Sequence, residues 1–211
     1  MSRIVKIGAG RNQDVAVFEE CQEIISGGGV IAYPTETFYG LGGSAFDERS
    51  IRKIFELKGR AEDKPLLVLI GERKQLSLLI EKPVFPFERL VDTFWPGPLT
   101  VIFKASPKLP LLLLGNKEKI GIRISGCETA RSLPIRCGLP ITSTSANISG
   151  QPVLCSAEEI LKEWGDRIDL ILDGGVLQKS RGSTIIDISD NRLVLIREGD
   201  IPFGEIEKAV R

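Results

Sequence analysis

The chain has 211 residues, 42% of them hydrophobic and 27% charged, with 28 Lys and Arg balanced by 28 Asp and Glu. That length and balance suit one large globular domain with a real core and exclude extended disorder, while a net charge of zero excludes the bulk basic character of a dedicated nucleic-acid binder and still permits a local cationic patch. No histidine is present, so Ser-His-Asp and Cys-His arrangements and histidine-ligated metals are excluded, and proton transfer falls to lysine, carboxylate, tyrosine, water or substrate.

In chain order, Asp14 is placed to cap a helix in which Val15, Phe18 and Ile25 recur near helical spacing, stopped by Gly27 to Gly29. Val30 to Tyr33 reads as a short buried strand ended by Pro34. Asp47 or Ser50 starts the next helix, which carries Ile51, Ile54 and Phe55 and stops at Gly59. Lys58 lies three residues after Phe55 and four after Ile54, so it continues the apolar face and points inward. Further strands are predicted at 66–70, 99–103, 120–124, 139–143, 170–172, 183–188 and 193–196. Helices are predicted at 87–94, 128–133, 157–164 and 203–210. Ser156 and Glu159 form a capping box at the start of the third of these, and Pro134 ends or kinks the second. Strands and helices mix without strict βαβ alternation, which predicts a single α/β domain over residues 1–211 with a twisted mixed sheet rather than a doubly wound one. No segment has the apolar length of a signal peptide or a membrane span. The four scattered cysteines, Cys21, Cys127, Cys137 and Cys155, are expected to be reduced and mostly buried in a cytoplasmic protein.

Three segments can carry chemistry. Lys58, Arg60 and Lys64 gather at a helix end and its following loop, which suits an anionic ligand; the alternative is a solvated loop balanced by Glu62 and Asp63. PITSTSANISGQP runs from a strand end into Ser143, Thr144, Ser145 and Asn147. Such hydroxyls and amides bind phosphate, ribose or an amino acid, or else they satisfy a local turn. RGSTIIDIS and LVLIREGD put Ser183 at the mouth of one strand and Arg197 at the end of another, where Arg197 either faces a pocket or pairs with Glu198 or Asp200. Arg123, inside IGIRIS, stands on a wet face or turns inward to pair a ligand. FWPGPLT reads as structural, with Trp95 packed beneath a proline-rich bend.

YPTETFYGLG, KGR followed by KPL, FWPGPLT, GIR, TSAN-x-SG, STIID and REG occur in this order between Val30 and Gly199. Together they resemble the YrdC-like family of threonylcarbamoyl-AMP synthases. The resemblance implies an α/β fold with a concave, positively charged face. It implies a nucleotidyltransferase that converts ATP, L-threonine and bicarbonate or CO2 into threonylcarbamoyl-AMP and pyrophosphate, for threonylcarbamoyladenosine in tRNA. It makes Lys58 and Arg60 the catalytic pair on the ATP phosphates, assisted by Lys64, with Ser145, Asn147 and Arg197 holding the nucleotide. Thr35, Arg123, Ser143 and Ser183 would recognise threonine, with Arg123 on its carboxylate. Mg2+ would arrive with ATP and no protein metal ligands are implied. The implied partners are a downstream tRNA threonylcarbamoyl transferase complex and a contact with tRNA or double-stranded RNA, without a membrane. Ala61 and Ser125 replace prolines frequent in the family, and Leu69 replaces a frequent histidine near threonine. The chain resembles the short form without an extra C-terminal domain. Two other readings stay open: an RNA-binding protein of this fold, and an enzyme with a different carbamoyl acceptor.

Overall fold

The computed structural model describes residues 3–8, 11–81 and 87–210. Strand β1 (Arg3–Lys6) precedes helix α1 (Arg11–Ser26). The helix is already under way three residues before Asp14, which therefore lies inside it instead of capping it. Its end is where the glycines predict it, with the amides of Gly27, Gly28 and Gly29 bonded to Glu23, Ile25 and Ile24. After β2 (Ile31–Tyr33), the glycine-rich stretch, where no strand is predicted, forms a third strand, β3 (Gly40–Gly42), paired antiparallel to β2. The glycines belong to the strand because the Tyr33 ring lies across them. A Cβ on Gly40 or Gly42 would press into that ring.

Helix α2 (Glu48–Lys58) starts at Asp47, whose carboxylate accepts the Arg49 amide at 2.8 Å, and closes at Gly59. The 3₁₀ turn at Arg73–Leu78 follows β4 (Leu67–Leu69), and α3 (Phe87–Phe94) leads into β5 (Leu99–Lys104). The short α4 (Leu111–Leu114) precedes β6 (Lys119–Arg123). Helix α5 (Glu128–Arg136) runs through Pro134 instead of ending there. Proline removes one amide near the helix end, and the next bond survives, with Cys137 N on Leu133 O at 2.9 Å. Strand β7 (Ile141–Ser145) leads to α6 (Ala157–Trp164). There Ser156 Oγ accepts the Glu159 amide, and Glu159 reaches back to the amide of Cys155. Strands β8 (Leu170–Asp173), β9 (Thr184–Asp187) and β10 (Val194–Arg197) and helix α7 (Phe203–Val210) complete the order.

Among the described residues, ten strands form one sheet in the order β1-β8-β2-β3-β7-β4-β6-β5-β9-β10, with parallel and antiparallel neighbours mixed. Side-chain alternation divides it into two faces. Val68, Val101, Ile122 and Ile186 point into the larger core, which α2, α3, α6 and α7 cover with Ile54, Phe55, Leu90, Ile160, Trp164 and Ile206. The opposite face is covered at one end only, where α1 and α5 pack Cys21, Ile25, Ala130 and Leu133 on Ile31, Tyr33, Leu170 and Leu172. Beyond Leu69 that face is open. The residues alternating with the core set, Leu67, Leu69, Thr100, Ile102, Arg123, Ser143 and Ile185, line a cleft. All four cysteines are free thiols, two buried and two partly so. Among the described residues no helix is long and apolar enough to cross a membrane.

Candidate active site

The cleft has a volume of about 470 Å³, within the range of small-molecule sites. Its lining mixes Leu67, Leu69, Ile102 and Ile185 with Thr100, Ser143 and Ser183, and carries Arg60, Lys64, Lys117, Arg123 and Arg197. Among the described residues lining it there is no carboxylate. A chain of zero net charge thus concentrates five cations around one concavity.

At one end stands the α2 terminus. Arg60 folds back on its own loop, giving Nε to the Lys64 carbonyl at 3.3 Å and Nη2 to the Pro65 carbonyl at 3.0 Å. The side chain also lines the cleft, and partial burial lowers its pKa against the opposing charge of Asp63. Glu62 is drawn away to Arg52 at 3.3 Å. Lys58 is only 2% exposed and does not reach the cleft. Its ammonium donates to the carbonyls of Ser145 and Asn147 at 2.5 and 2.7 Å and to Asn147 Oδ1 at 3.1 Å. Burial pushes its pKa down to about 7, whereas three acceptors require all three ammonium hydrogens and hold the charged form. Asn147 is equally committed. Its amide donates to Ile148 and Gln151, and its oxygen takes Ser145 Oγ at 2.6 Å. Lys58 and Asn147, expected on the phosphates, therefore stand behind the wall and brace each other, while Ser145 lines the cleft.

At the other end, Arg123 is 7% exposed, with Nη1 on Thr37 Oγ1 at 3.4 Å and Nη2 3.9 Å from Glu36. Thr35 is in place but largely spent, since its hydroxyl donates to Phe38 O and accepts the Thr37 and Phe38 amides. Thr37, which sequence reasoning missed, is the freer hydroxyl. Ser183 Oγ lies 2.9 Å from Thr100 Oγ1, so the FWPGPLT segment, with its Trp95 buried as expected, also contributes a cleft residue. Arg197 pairs with neither Glu198 nor Asp200: it donates to the Ser183 carbonyl at 2.7 Å, and Asp200 is held by Ser180 and the Arg181 amide. Burial and the nearby Arg123 charge lower the Arg197 pKa. Ser143 lies opposite Leu67 across the β4–β7 pair and lines the cleft with Leu69. Eight of the ten expected residues thus share one cavity. The signal for the missed Thr100 is the two-residue strand period it shares with Ile102 in β5; Thr37 lies in the bend after β2, where no strand period marks it.

Glu36 lies beside the cleft and joins its loops. It accepts the Ser125 hydroxyl and the Gly126 amide. Burial alone would raise its pKa, but Arg123 and these donors outweigh it and hold the carboxyl below its ordinary value. A carboxylate depressed on folding contributes stability that is present above its unfolded pKa and lost as pH falls through the folded one. Glu36→Gln is therefore expected to flatten the loss of stability on acidification below about pH 4.5. Urea unfolding between pH 3 and 7 measures this, and parallel acid profiles for the two proteins would remove Glu36 as a contributor.

The chain also matches known proteins. The Sua5/YciO/YrdC family model, described as telomere recombination, matches residues 23–199. A threonylcarbamoyl-AMP synthase of Pyrococcus abyssi is 39% identical over 183 residues, covering 87% of this chain and 54% of its own length. One of Chromobacterium violaceum is 37% identical over 168 residues, covering 79% and 86%. The solved structure of P. abyssi Sua5 complexed with L-threonine aligns with a TM-score of 0.90 at 35% identity, covering 100% of this chain and 61% of that one. The chain thus spans about half the length of the Pyrococcus synthase and most of the Chromobacterium one. With a family model covering most of its residues and a relative of similar length at this identity, the chain belongs to the Sua5/YciO/YrdC family.

Proposed function

We propose that the cleft binds MgATP and L-threonine and joins them, through bicarbonate or CO2, into threonylcarbamoyl-AMP with release of pyrophosphate. The observation that carries this reading is the set of five cations around one cleft with no carboxylate among the described lining residues. Such a site suits two anionic substrates held side by side. The names of the relatives, and the threonine in the Pyrococcus complex, support the choice of substrates.

The threonine amine adds to CO2 to form a carbamate and gives up its proton to water. A carbamate oxygen then forms a bond to the α-phosphorus, and the bond from that phosphorus to the bridging oxygen of pyrophosphate breaks. No strong protein base is needed for the second step, which matches a chain without histidine. The step needs positioning and charge neutralisation instead. Arg60 and Lys64 take the phosphates, Ser145 and Arg197 steady the nucleotide, and Arg123 with Thr37 and Ser183 orients the amino acid. Lys58 and Asn147 act as positioning residues that hold the wall carrying Ser145. Mg2+ would enter bound to the ATP phosphates as part of the substrate. The product is then passed to a tRNA threonylcarbamoyl transferase.

Leu69 favours one variation. It is an apolar side chain beside the amino-acid end, 2% exposed, and it contributes no hydrogen bond to a threonine hydroxyl. The test is incubation with MgATP, bicarbonate and single amino acids, with the adenylate detected by mass spectrometry and pyrophosphate by coupled assay. Threonine-dependent product is expected. Product from a different amino acid alone would move the acceptor, and ATP binding without any product would end the enzymatic reading. In the same assay Arg60→Ala is expected to lower turnover at least about 100-fold with little loss of stability, because its protein partners are two loop carbonyls. Wild-type turnover by that variant would withdraw Arg60 from the phosphates.

A further inference from the structure

We propose that Lys117 is a third cation of the polyphosphate end, contacting the terminal phosphates of ATP and the pyrophosphate product from a loop that none of the matched motifs contains. The inference rests on the nucleotide reading above. Helix α4 closes on two successive left-handed residues, Gly115 with φ 56° and Asn116 with φ 58°. Asparagine is among the few side chains that adopt this conformation readily, and two such residues in a row reverse the chain tightly. The reversal is held by Asn116 N on Leu111 O at 3.3 Å and Lys117 N on Leu114 O at 3.1 Å. It turns Lys117 toward the mouth of the cleft before β6 begins.

The turn is built onto the loop that Arg60 grips. Leu66 N donates to Leu113 O at 3.0 Å, and Gly115 lies so close to the backbone of Asp63 and Pro65 that a Cβ there would collide with it. Arg60 holds the same segment through the carbonyls of Lys64 and Pro65. Arg60, Lys64 and Lys117 therefore emerge from two interlocked loops and line one end of one cavity. Neighbouring lysines differ in their partners. Lys119 is neutralised by Asp187 and Asp190, each at 3.0 Å, and Lys53 by Asp169 at 2.6 Å. Lys117 is exposed and, among the described residues, has no carboxylate partner. A flexible ammonium at the rim, left without an internal counter-ion beside a half-buried guanidinium, suits the outermost anionic group of a ligand whose inner part lies deeper.

Calorimetric titration of wild type, Lys117→Ala and Lys117→Arg with MgATP, pyrophosphate and AMP tests the assignment. Lys117→Ala is expected to weaken MgATP and pyrophosphate about tenfold and to leave AMP and threonine within about twofold, because AMP lacks the terminal phosphates. Lys117→Arg should retain most of the affinity. Unchanged MgATP and pyrophosphate affinities in Lys117→Ala would overturn the proposal, as would an equal loss for AMP, which would point to a disturbed loop. Wild-type protein that binds neither MgATP nor pyrophosphate would overturn the nucleotide reading itself and this proposal with it.

Discussion

Lys58→Met is expected to lower stability by about 3 kcal/mol or more, the scale for opening a buried charged network, and to reduce adenylate formation at least about 100-fold. Methionine fills much of the lysine stem's volume, so the change isolates the ammonium. Without it, the Asn147 carbonyl loses its side-chain donor, while the Ser145 carbonyl and Asn147 Oδ1 each lose one donor and keep another, the Asn147 amide and Ser145 Oγ respectively. Asn147 would keep its bonds to Ile148 and Gln151, but the segment from Ser145 to Ser149 would no longer be pinned to the end of α2. A single backbone bond, Ser149 N on Lys58 O at 2.8 Å, would remain. Activity falls because Ser145 lies on that segment and lines the cleft. Chemical denaturation together with substrate titration separates support from direct binding. If Lys58→Met kept wild-type stability and lost only ATP affinity, Lys58 would be a phosphate ligand and the bracing role would be wrong.

Lys58 also marks where sequence reasoning stops. Its phase with Ile54 and Phe55 announces an inward side chain, and the residue is indeed buried. Phase along a helix does not say whether inward means toward a ligand or toward a neighbouring loop. That depends on where the segment after β7 comes to rest, almost ninety residues away in the chain. Local signals fared better: the Asp47 cap, the Ser156 box and the glycine stop after α1 each act through bonds spanning a few residues, and all lie where the sequence puts them. Strand β3 is hidden because glycine ordinarily weakens a strand, and its glycines are explained by tertiary neighbours, the Tyr33 ring at Gly40 and the Thr142 carbonyl, Ile141 and Tyr33 at Gly42. The mixed sheet was legible from the lack of βαβ alternation. Its strand order, which brings β9 beside β5 and so Ser183 beside Thr100, was not. Lys117 carried no local sign at all, since a lysine in a polar loop ordinarily means a solvated surface.

Arg123→Ala is expected to raise the threonine KM about 100-fold and leave the ATP KM within about twofold, the effect of removing a charge-assisted hydrogen-bond partner for a carboxylate from a largely buried site. The guanidinium is fixed from one side by Thr37 and Glu36, so it meets a carboxylate without first giving up rotamer freedom. The fold should survive the change, since Glu36 keeps the Ser125 hydroxyl and the Gly126 amide as donors. Threoninol, which lacks the carboxylate, supplies the control. Wild type should bind threonine far more tightly than threoninol, and Arg123→Ala should bind the two alike, because the group that distinguishes them is gone. A variant that still prefers threonine, or one that weakens ATP and threonine equally, would place the carboxylate elsewhere. Arg197 would then be the next guanidinium to test, since it lines the same cleft and lies close enough for the Arg123 charge to lower its pKa further after burial has done so.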